Sequence, residues 1–475
     1  MNTLRKTTIV RATVMLVLVA LLVAVTTMLS AASNAVAQGE RPEKPLHGQL
    51  AAAEIGESAT GFPAWINDEN EPNNTRATAE DYSKCGQGVY FNCVLGGKIG
   101  SNNDVDYWSF KLEDFDYSDH FAVLFDIEAQ SIGSALDPVI CLYADDGTEL
   151  ACNDDTDTVD SMLFYNVEAG RTYYLRVTDY YDVGGSDYNY QIIATTPLLI
   201  SAQTRGKVGG ISFNSGDILA WSSDIGSLWD SRANPTWEKW VLFFDLSDLG
   251  VNANLTNLAA GWRNSDYLLL GFQAKMNLPG ITGKVTPQDV IVFNPSKIGP
   301  ATEGEFQLWW VGANYGLSTS NERIDAIDWP NWSGDTRLYV STSGTASVPT
   351  GWPGSRPGVL KDEDIGMAMT SSNTWDRFFD GNRLEGLGIE DVVAMDVADY
   401  SPNSFDYLLL VIQGTGRVGD NGLKVTQKDI FRTTSNPWLS WFWDADMFWH
   451  GPDHGWRYNI DAIEYPQLDK DCLGC

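Results

Sequence analysis

An all-β architecture follows from three features of the sequence. Short runs of alternating apolar and polar residues, such as Phe121 to Ile127 and Tyr173 to Val177, are separated by turn residues, as in half-buried strands. No long stretch carries the period of an amphipathic helix. From Pro197 onward the chain repeats itself, the mark of an array of like units.

Taken in order, residues 1–37 read as a secretory signal. Arg5, Lys6 and Arg11 form a basic start, Val14 to Val25 is an unbroken apolar run, and Ala35-Val36-Ala37 is a small-residue cleavage site. The mature chain is then expected to begin near Gln38 and to act outside the cell or on its surface, free of the membrane once cleaved. The alternative is an uncleaved anchor, for which Ala12 to Leu29 is just long enough. Residues 38–65 have no periodicity and read as a linker. Residues 66–196 form a first strand-rich region, residues 197–468 the repeats, and residues 469–475 a tail ending in Cys472-Leu473-Gly474-Cys475.

Six cysteines suit an exported chain. Cys85 and Cys93 lie close in sequence. Cys141 and Cys152 flank an expected hairpin turn at Asp145-Asp146-Gly147, which would set them opposite each other. Both pairs are expected to be disulfides. The terminal CxxC has no second pair and no βαβ context, so an idle or self-closed pair is expected there. Without the three basic signal residues the chain carries 28 Lys and Arg against 63 Asp and Glu, a net charge of −35. Such a field repels nucleic acid and attracts divalent cations.

The repeats have two periods. Asp266 to Leu270 recurs at Asp406 to Leu410, and Lys284 to Val290 at Lys424 to Ile430, both offset by 140 residues. Within this, an Asp followed by Ile or Val recurs at Asp217, Asp289, Asp364 and Asp429. Each is followed by an aromatic strand (Phe243-Phe244, Trp309-Trp310, Phe378-Phe379, Phe442-Trp443) and then an Ala-containing one (Leu258 to Ala260, Ile324 to Ile327, Val392 to Met395, Ile460 to Ile463). A Leu-rich strand comes next, at Leu268 to Leu270, Leu338 to Val340 and Leu408 to Leu410. The fourth unit lacks that strand, but Leu198 to Ser201 resembles it and precedes the first unit. The expected fold is therefore a four-bladed β-propeller closed by the strand at 198–201, which protects its sheet edges. Two β-sandwiches are the alternative. Sixteen of the eighteen Trp follow residue 200, enough to fill cores between sheets.

Catalytic signatures are sparse. The four histidines, His47, His120, His450 and His454, include no His-Glu-x-x-His pair. The loop His450-Gly451-Pro452-Asp453-His454 contains a proline and reads as Trp-rich structure rather than a zinc site. There is no Gly-x-Ser-x-Gly elbow. Carboxylate pairs that could serve glycoside hydrolysis cannot be singled out among 63 acids.

Two acidic segments stand out: Asp68-Glu69-Asn70-Glu71-Pro72-Asn73-Asn74-Thr75 and Asn102-Asn103-Asp104-Val105-Asp106-Tyr107-Trp108. Both place carboxylate and amide oxygens at alternate positions, and Ca²⁺ takes about six to eight oxygen ligands on such loops. With Leu136-Asp137-Pro138, Leu142-Tyr143, Asp146-Gly147, Asn153-Asp154-Asp155 and Gly170 to Val177, residues 66–196 resemble the bacterial pre-peptidase C-terminal domain. The resemblance implies a small β-sandwich, often calcium-binding, appended to secreted hydrolases. It implies Glu69, Glu71, Asn73, Asp104 and Asp106 as ligands, with Asp68, Asp154 and Asp155 as further candidates; the alternative is a pair of solvated acidic turns. The repeats share a style with uncharacterised secreted bacterial proteins, which implies no activity.

If the Asp-Ile strands lie innermost, Asp217, Asp289, Asp364 and Asp429 would converge on the axis and call for a cation; otherwise they cap turns. The function expected is that of a secreted, calcium-binding, non-catalytic protein that recognises an extracellular glycan or protein. The alternative is a secreted hydrolase with the repeats as its catalytic unit.

Overall fold

The computed structural model describes residues 69–82, 92–111, 120–154, 159–168, 170–223, 238–260, 267–329, 337–349, 358–401, 404–434 and 445–465. The signal, the linker, Asp68, Asp155, Cys85 with its expected bond to Cys93, and the tail cysteines lie outside them. The fold is all-β.

Two sheets form the first region. One orders Asn92–Lys98, Asn189–Thr195, His120–Glu128 and Met162–Glu168. The other orders Glu80–Asp81, Asp106–Lys111, Thr172–Asp179, Pro138–Ala144 and Glu149–Asn153. Their inward residues, Trp108, Phe110, Phe125, Ile140, Leu175 and Tyr190 among them, build one core. Strand period decides a chemical matter here. Along Asp106–Lys111 alternate residues are buried, so the pleat that turns Trp108 and Phe110 inward also buries Asp106. Cys141 and Cys152 stand opposite in register and are disulfide-bonded, with Cα atoms 4.1 Å apart.

The repeats form four antiparallel four-stranded sheets. The second orders Leu255–Ala260, Leu268–Phe272, Val290–Lys297 and Glu303–Trp310. The third orders Ile324–Asp328, Arg337–Thr342, Ile365–Met369 and Thr374–Phe379. The fourth orders Val392–Ser401, Ser404–Ile412, Asp429–Thr434 and Ala445–His450. The first joins both ends of the region: Ile460–Glu464, Leu198–Ala202, Ile218–Ser223 and Glu238–Phe244. Leu199 pairs with Glu464 and Ile200 with Ile463, so the strand at 198–202 does supply the missing member.

The four Ala-containing strands lie against one another in sequence, and the last lies against the first. Four apolar clusters fill the four gaps between consecutive sheets. Leu268 and Leu270 face one gap while Leu269 faces the next. The second strand of each sheet is buried on both faces, which is why strands such as Leu268–Phe272 and Leu198–Ala202 read as continuous apolar runs rather than alternating ones.

One expectation is corrected. The Asp-Ile strands are third from the ring, and the Ala-containing strands are innermost. The reason is room: Ala326, Ala394 and Ala462 are small enough for inner strands to approach, and the fourth equivalent, Asn257, spends its Nδ2 on the Ile324 carbonyl of the next inner strand, at 3.1 Å.

Candidate metal centre

The structure brings Glu69, Glu71 and Asp106 together, with one carboxylate oxygen from each lying within 4.8 Å of the others. The first two come from the loop that leads into the sandwich, and Asp106 begins a core strand. Hydrogen bonds hold each in place. Glu69 Oε2 accepts from Lys98 N at 2.6 Å, Glu71 Oε2 from Asn73 N at 3.0 Å, and Asp106 Oδ2 from the Tyr190 hydroxyl at 2.6 Å. Tyr190 in turn accepts from Trp108 Nε1 at 3.0 Å, so the core itself positions the carboxylate. A Cβ on Gly97 would stand 2.4 Å from the Tyr190 ring, so only glycine lets that ring cross the strand.

What remains unsatisfied is informative. Asn73 is fully buried, yet neither its Oδ1 nor its Nδ2 has a partner; Glu69 Oε1 and Asp106 Oδ1 are also buried and unpartnered. Buried polar groups are nearly always bonded, so unpartnered oxygens within a cluster of carboxylates call for something to bind them. Among the described residues no Lys, Arg or His pairs with the three carboxylates. Burial, then mutual repulsion, pushes Asp106 up to about 9; burial pushes Glu69 up to about 7. A hard divalent cation would satisfy these oxygens and remove the repulsion, so the donor set fits calcium. Asp104 belongs to the same neighbourhood but is committed elsewhere: Oδ1 accepts from Asn74 Nδ2 and Oδ2 from Gly100 N, both at 2.7 Å. It shapes the loop while its charge is felt by Glu69 and Asp106. Asp154 lies elsewhere, lining a cleft between the sandwich and the repeats. Cys141, Glu149 and Cys152 also cluster, but the two sulfurs are bonded to each other.

Asp217, Asp289, Asp364 and Asp429 do not converge. Each accepts from the backbone N–H three residues earlier, that of Asn214, Thr286, Lys361 or Thr426. Three reach further, to the N–H of Leu246, Gly312 or Gly381 beyond the aromatic strand. The turns they cap do one more thing. The carbonyls of Ser215, Pro287, Asp362 and Gln427 accept the N–H of Leu255, Ile324, Val392 and Ile460, the first residues of the next inner strands. The recurring Asp is a clamp that ties each sheet to its successor. The His loop is structural as well: His454 packs on Trp221 and Trp449, and its Nδ1 bonds Glu238 at 2.9 Å.

The sequence reading passed over the acids on the inner strands. Asp328, Asp396 and Glu464 occupy equivalent positions on three of them, all buried and within 4.8 Å of one another. Burial and Asp328 drive Asp396 well above the usual carboxylate range. Asp328 also bonds Trp329 N and Val397 N. Asp325, Asp391 and Asp461 line a cavity at the other end of these strands. The repeated Ile-Asp-Ala-Ile of residues 324–327 and 460–463 was the available signal, read only for its apolar residues.

No family model and no curated protein matches this chain. Among solved structures it is similar to the pre-peptidase C-terminal domain of a collagenase from Bacillus anthracis, at 14% identity, over 22% of this chain and 90% of that domain, with a TM-score of 0.18.

Proposed function

We propose that this is a secreted, calcium-stabilised, non-catalytic binding protein: a sandwich of the pre-peptidase C-terminal type beside a four-bladed propeller that recognises an extracellular glycan or protein. The observation that carries the calcium reading is the convergence of the Glu69, Glu71 and Asp106 carboxylates, with buried oxygens of Glu69, Asp106 and the nearby loop residue Asn73 left unpartnered. In it Glu69, Glu71, Asn73 and Asp106 supply oxygens, and Asp104 braces the loop. The ion ties the entry loop to the strand that carries Trp108. The cyclic order of inner strands, with a core in every gap, favours a propeller over two sandwiches.

The hydrolase reading has one observation behind it, the carboxylates at the mouth of the ring. Asp325 and Asp391 stand close enough to share a proton. Paired glycosidase carboxyls stand about 5 Å or more apart, so this pair does not fit that task. The cavity beside them, about 80 Å³, is too small for a sugar ring. Recognition without turnover is the reading retained.

Thermal melts of the mature chain with calcium and with excess EGTA test the first part. A higher melting temperature in calcium, abolished by Asp106→Asn, is the expected result; identical melts would overturn it. A glycan and peptide array probed in calcium, followed by product analysis of any hit, tests the second. Cleavage of a bound ligand would overturn the non-catalytic reading.

A further inference from the structure

The mouth of the ring holds carboxylates that none of the roles above employs. Each inner strand is bulged after its first residue, and the residues pushed out of register are Thr256, Asp325, Val393 and Asp461. All four line one cavity of about 80 Å³, joined there by Asp391 and Arg323. Asp325 and Asp461 come from inner strands on opposite sides of the ring. The rim is fixed: Gln203 Oε1 accepts from Asn459 Nδ2 at 3.2 Å and Gln273 Oε1 from Asn254 Nδ2 at 3.0 Å.

Asp461, which lines this cavity, is only 7% exposed, and its Oδ2 has no hydrogen-bond partner. Both carboxyl oxygens of Asp325 and Oδ1 of Asp391 are likewise buried and, apart from a proton shared between the two, have no partner. Arg323 is the basic side chain of the lining, and its Nε is turned to Ser343 Oγ at 3.3 Å. Three carboxylates against one guanidinium leave a deficit of positive charge at this mouth. Buried carboxylates that lack donors must bind protons or a cation. The cavity has room for an ion and a few waters and for little more.

We propose that the ring mouth binds a hydrated divalent cation, held by Asp461 on one side and the Asp325–Asp391 pair on the other. Water completes its shell, since the three carboxylates are too far apart to meet at a bare ion. The ion cross-links opposite inner strands, one of them the Ile460–Glu464 strand that pairs with Leu198–Ala202. This site is independent of the centre in the sandwich.

The test is calorimetric titration of Ca²⁺ into the full mature chain after stripping with a chelator. Asp461→Asn should bind one ion fewer than wild type and Asp106→Asn should also bind one fewer. The double variant should then bind two fewer. Asp325→Asn repeats the measurement should Asp461→Asn fail to fold, as judged by near-ultraviolet circular dichroism. The proposal is overturned if folded Asp461→Asn or Asp325→Asn keeps the wild-type number of ions. It is also overturned if each single variant loses one ion and the double variant still loses only one. Loss with Asp461→Asn but not with Asp106→Asn would instead sink the sandwich centre and leave this one standing.

Discussion

The sandwich and the ring solve the burial of acid in different ways. In the sandwich, Glu69, Glu71 and Asn73 are within five residues of one another, and Asp106 opens a strand that follows two others, Glu80–Asp81 and Asn92–Lys98. A local motif delivers a nearly complete set of oxygens, and Tyr190 and Trp108 lock it to the core. In the ring, no segment contains a cluster. Asp328, Asp396 and Glu464, or Asp325, Asp391 and Asp461, are brought together only because three separate sheets meet at one centre. A local cluster survives changes elsewhere in the chain, whereas a ring cluster exists only while the ring is closed.

The sharpest way to break that contrast is to open the ring. Deleting residues 198–202 strips the partner from Ile460–Glu464 and from Ile218–Ser223. The expected outcome is loss of the folded tryptophan signal of the repeats, while chelator-sensitive stability of the sandwich persists. Near-ultraviolet circular dichroism with and without EGTA reads both. An intact tryptophan spectrum would mean that closure is dispensable.

Next in size is the junction between the regions. Lys239 of the first repeat sheet pairs with Asp126 and Glu128 of the sandwich, both carboxylates being buried. Lys239→Met leaves two buried acids facing each other and should cost about 3–5 kcal/mol by urea denaturation. The pair also carries a pH signature. Burial, opposed by Lys239, pushes Asp126 up to about 7. A raised carboxylate stabilises the fold below its ordinary pKa and loses that contribution as pH rises through the folded value. The Asp126 share of stability should therefore decline between about pH 4 and pH 7, and Asp126→Asn should flatten that part of the melting curve.

Calcium comes third. At a free concentration one hundred times its dissociation constant, an ion bound only by the native state adds about 2.7 kcal/mol. Trp108→Phe removes the donor that fixes Tyr190 and should weaken calcium binding while leaving the ring's tryptophan spectrum unchanged. Equal affinity in the variant would show that the core does not position Asp106.

The smallest effect is expected at the clamps. Asp289→Ala removes bonds to Thr286 N, Thr286 Oγ1 and Gly312 N and should cost about 1–2 kcal/mol, as lost caps do. It should not change the number of calcium ions bound, since Asp289 stands on the third strand from the ring. A change in that number would return these residues to the axis.

Much of this was legible along the chain. Alternation and turn residues mark strands, the offsets of 140 residues mark the units, and Leu198 to Ser201 marks the strand that pairs with Ile460–Glu464. The Cys141–Cys152 bond was readable because a hairpin fixes its own register. The nearness of Glu69, Glu71 and Asn73 was readable for a similar reason, since a short loop keeps neighbours together; that Asp106 joins Glu69 and Glu71 followed from no local rule and was implied only by the family resemblance. The radial order of the strands was not. Which strand of a unit lies innermost depends on how closely four backbones can approach, and Ala326, Ala394 and Ala462 settle that only when set against one another. Asp217 and its three counterparts therefore allowed two readings, a central ring or turn caps, and the structure shows turn caps. Asp325, Asp391 and Asp461 looked like incidental acids on apolar strands, yet they share a cavity. Sequence fixes what neighbours along the chain can do, because their separation is covalently bounded. Only tertiary structure decides what meets at an axis, because that depends on packing among residues scores of positions apart.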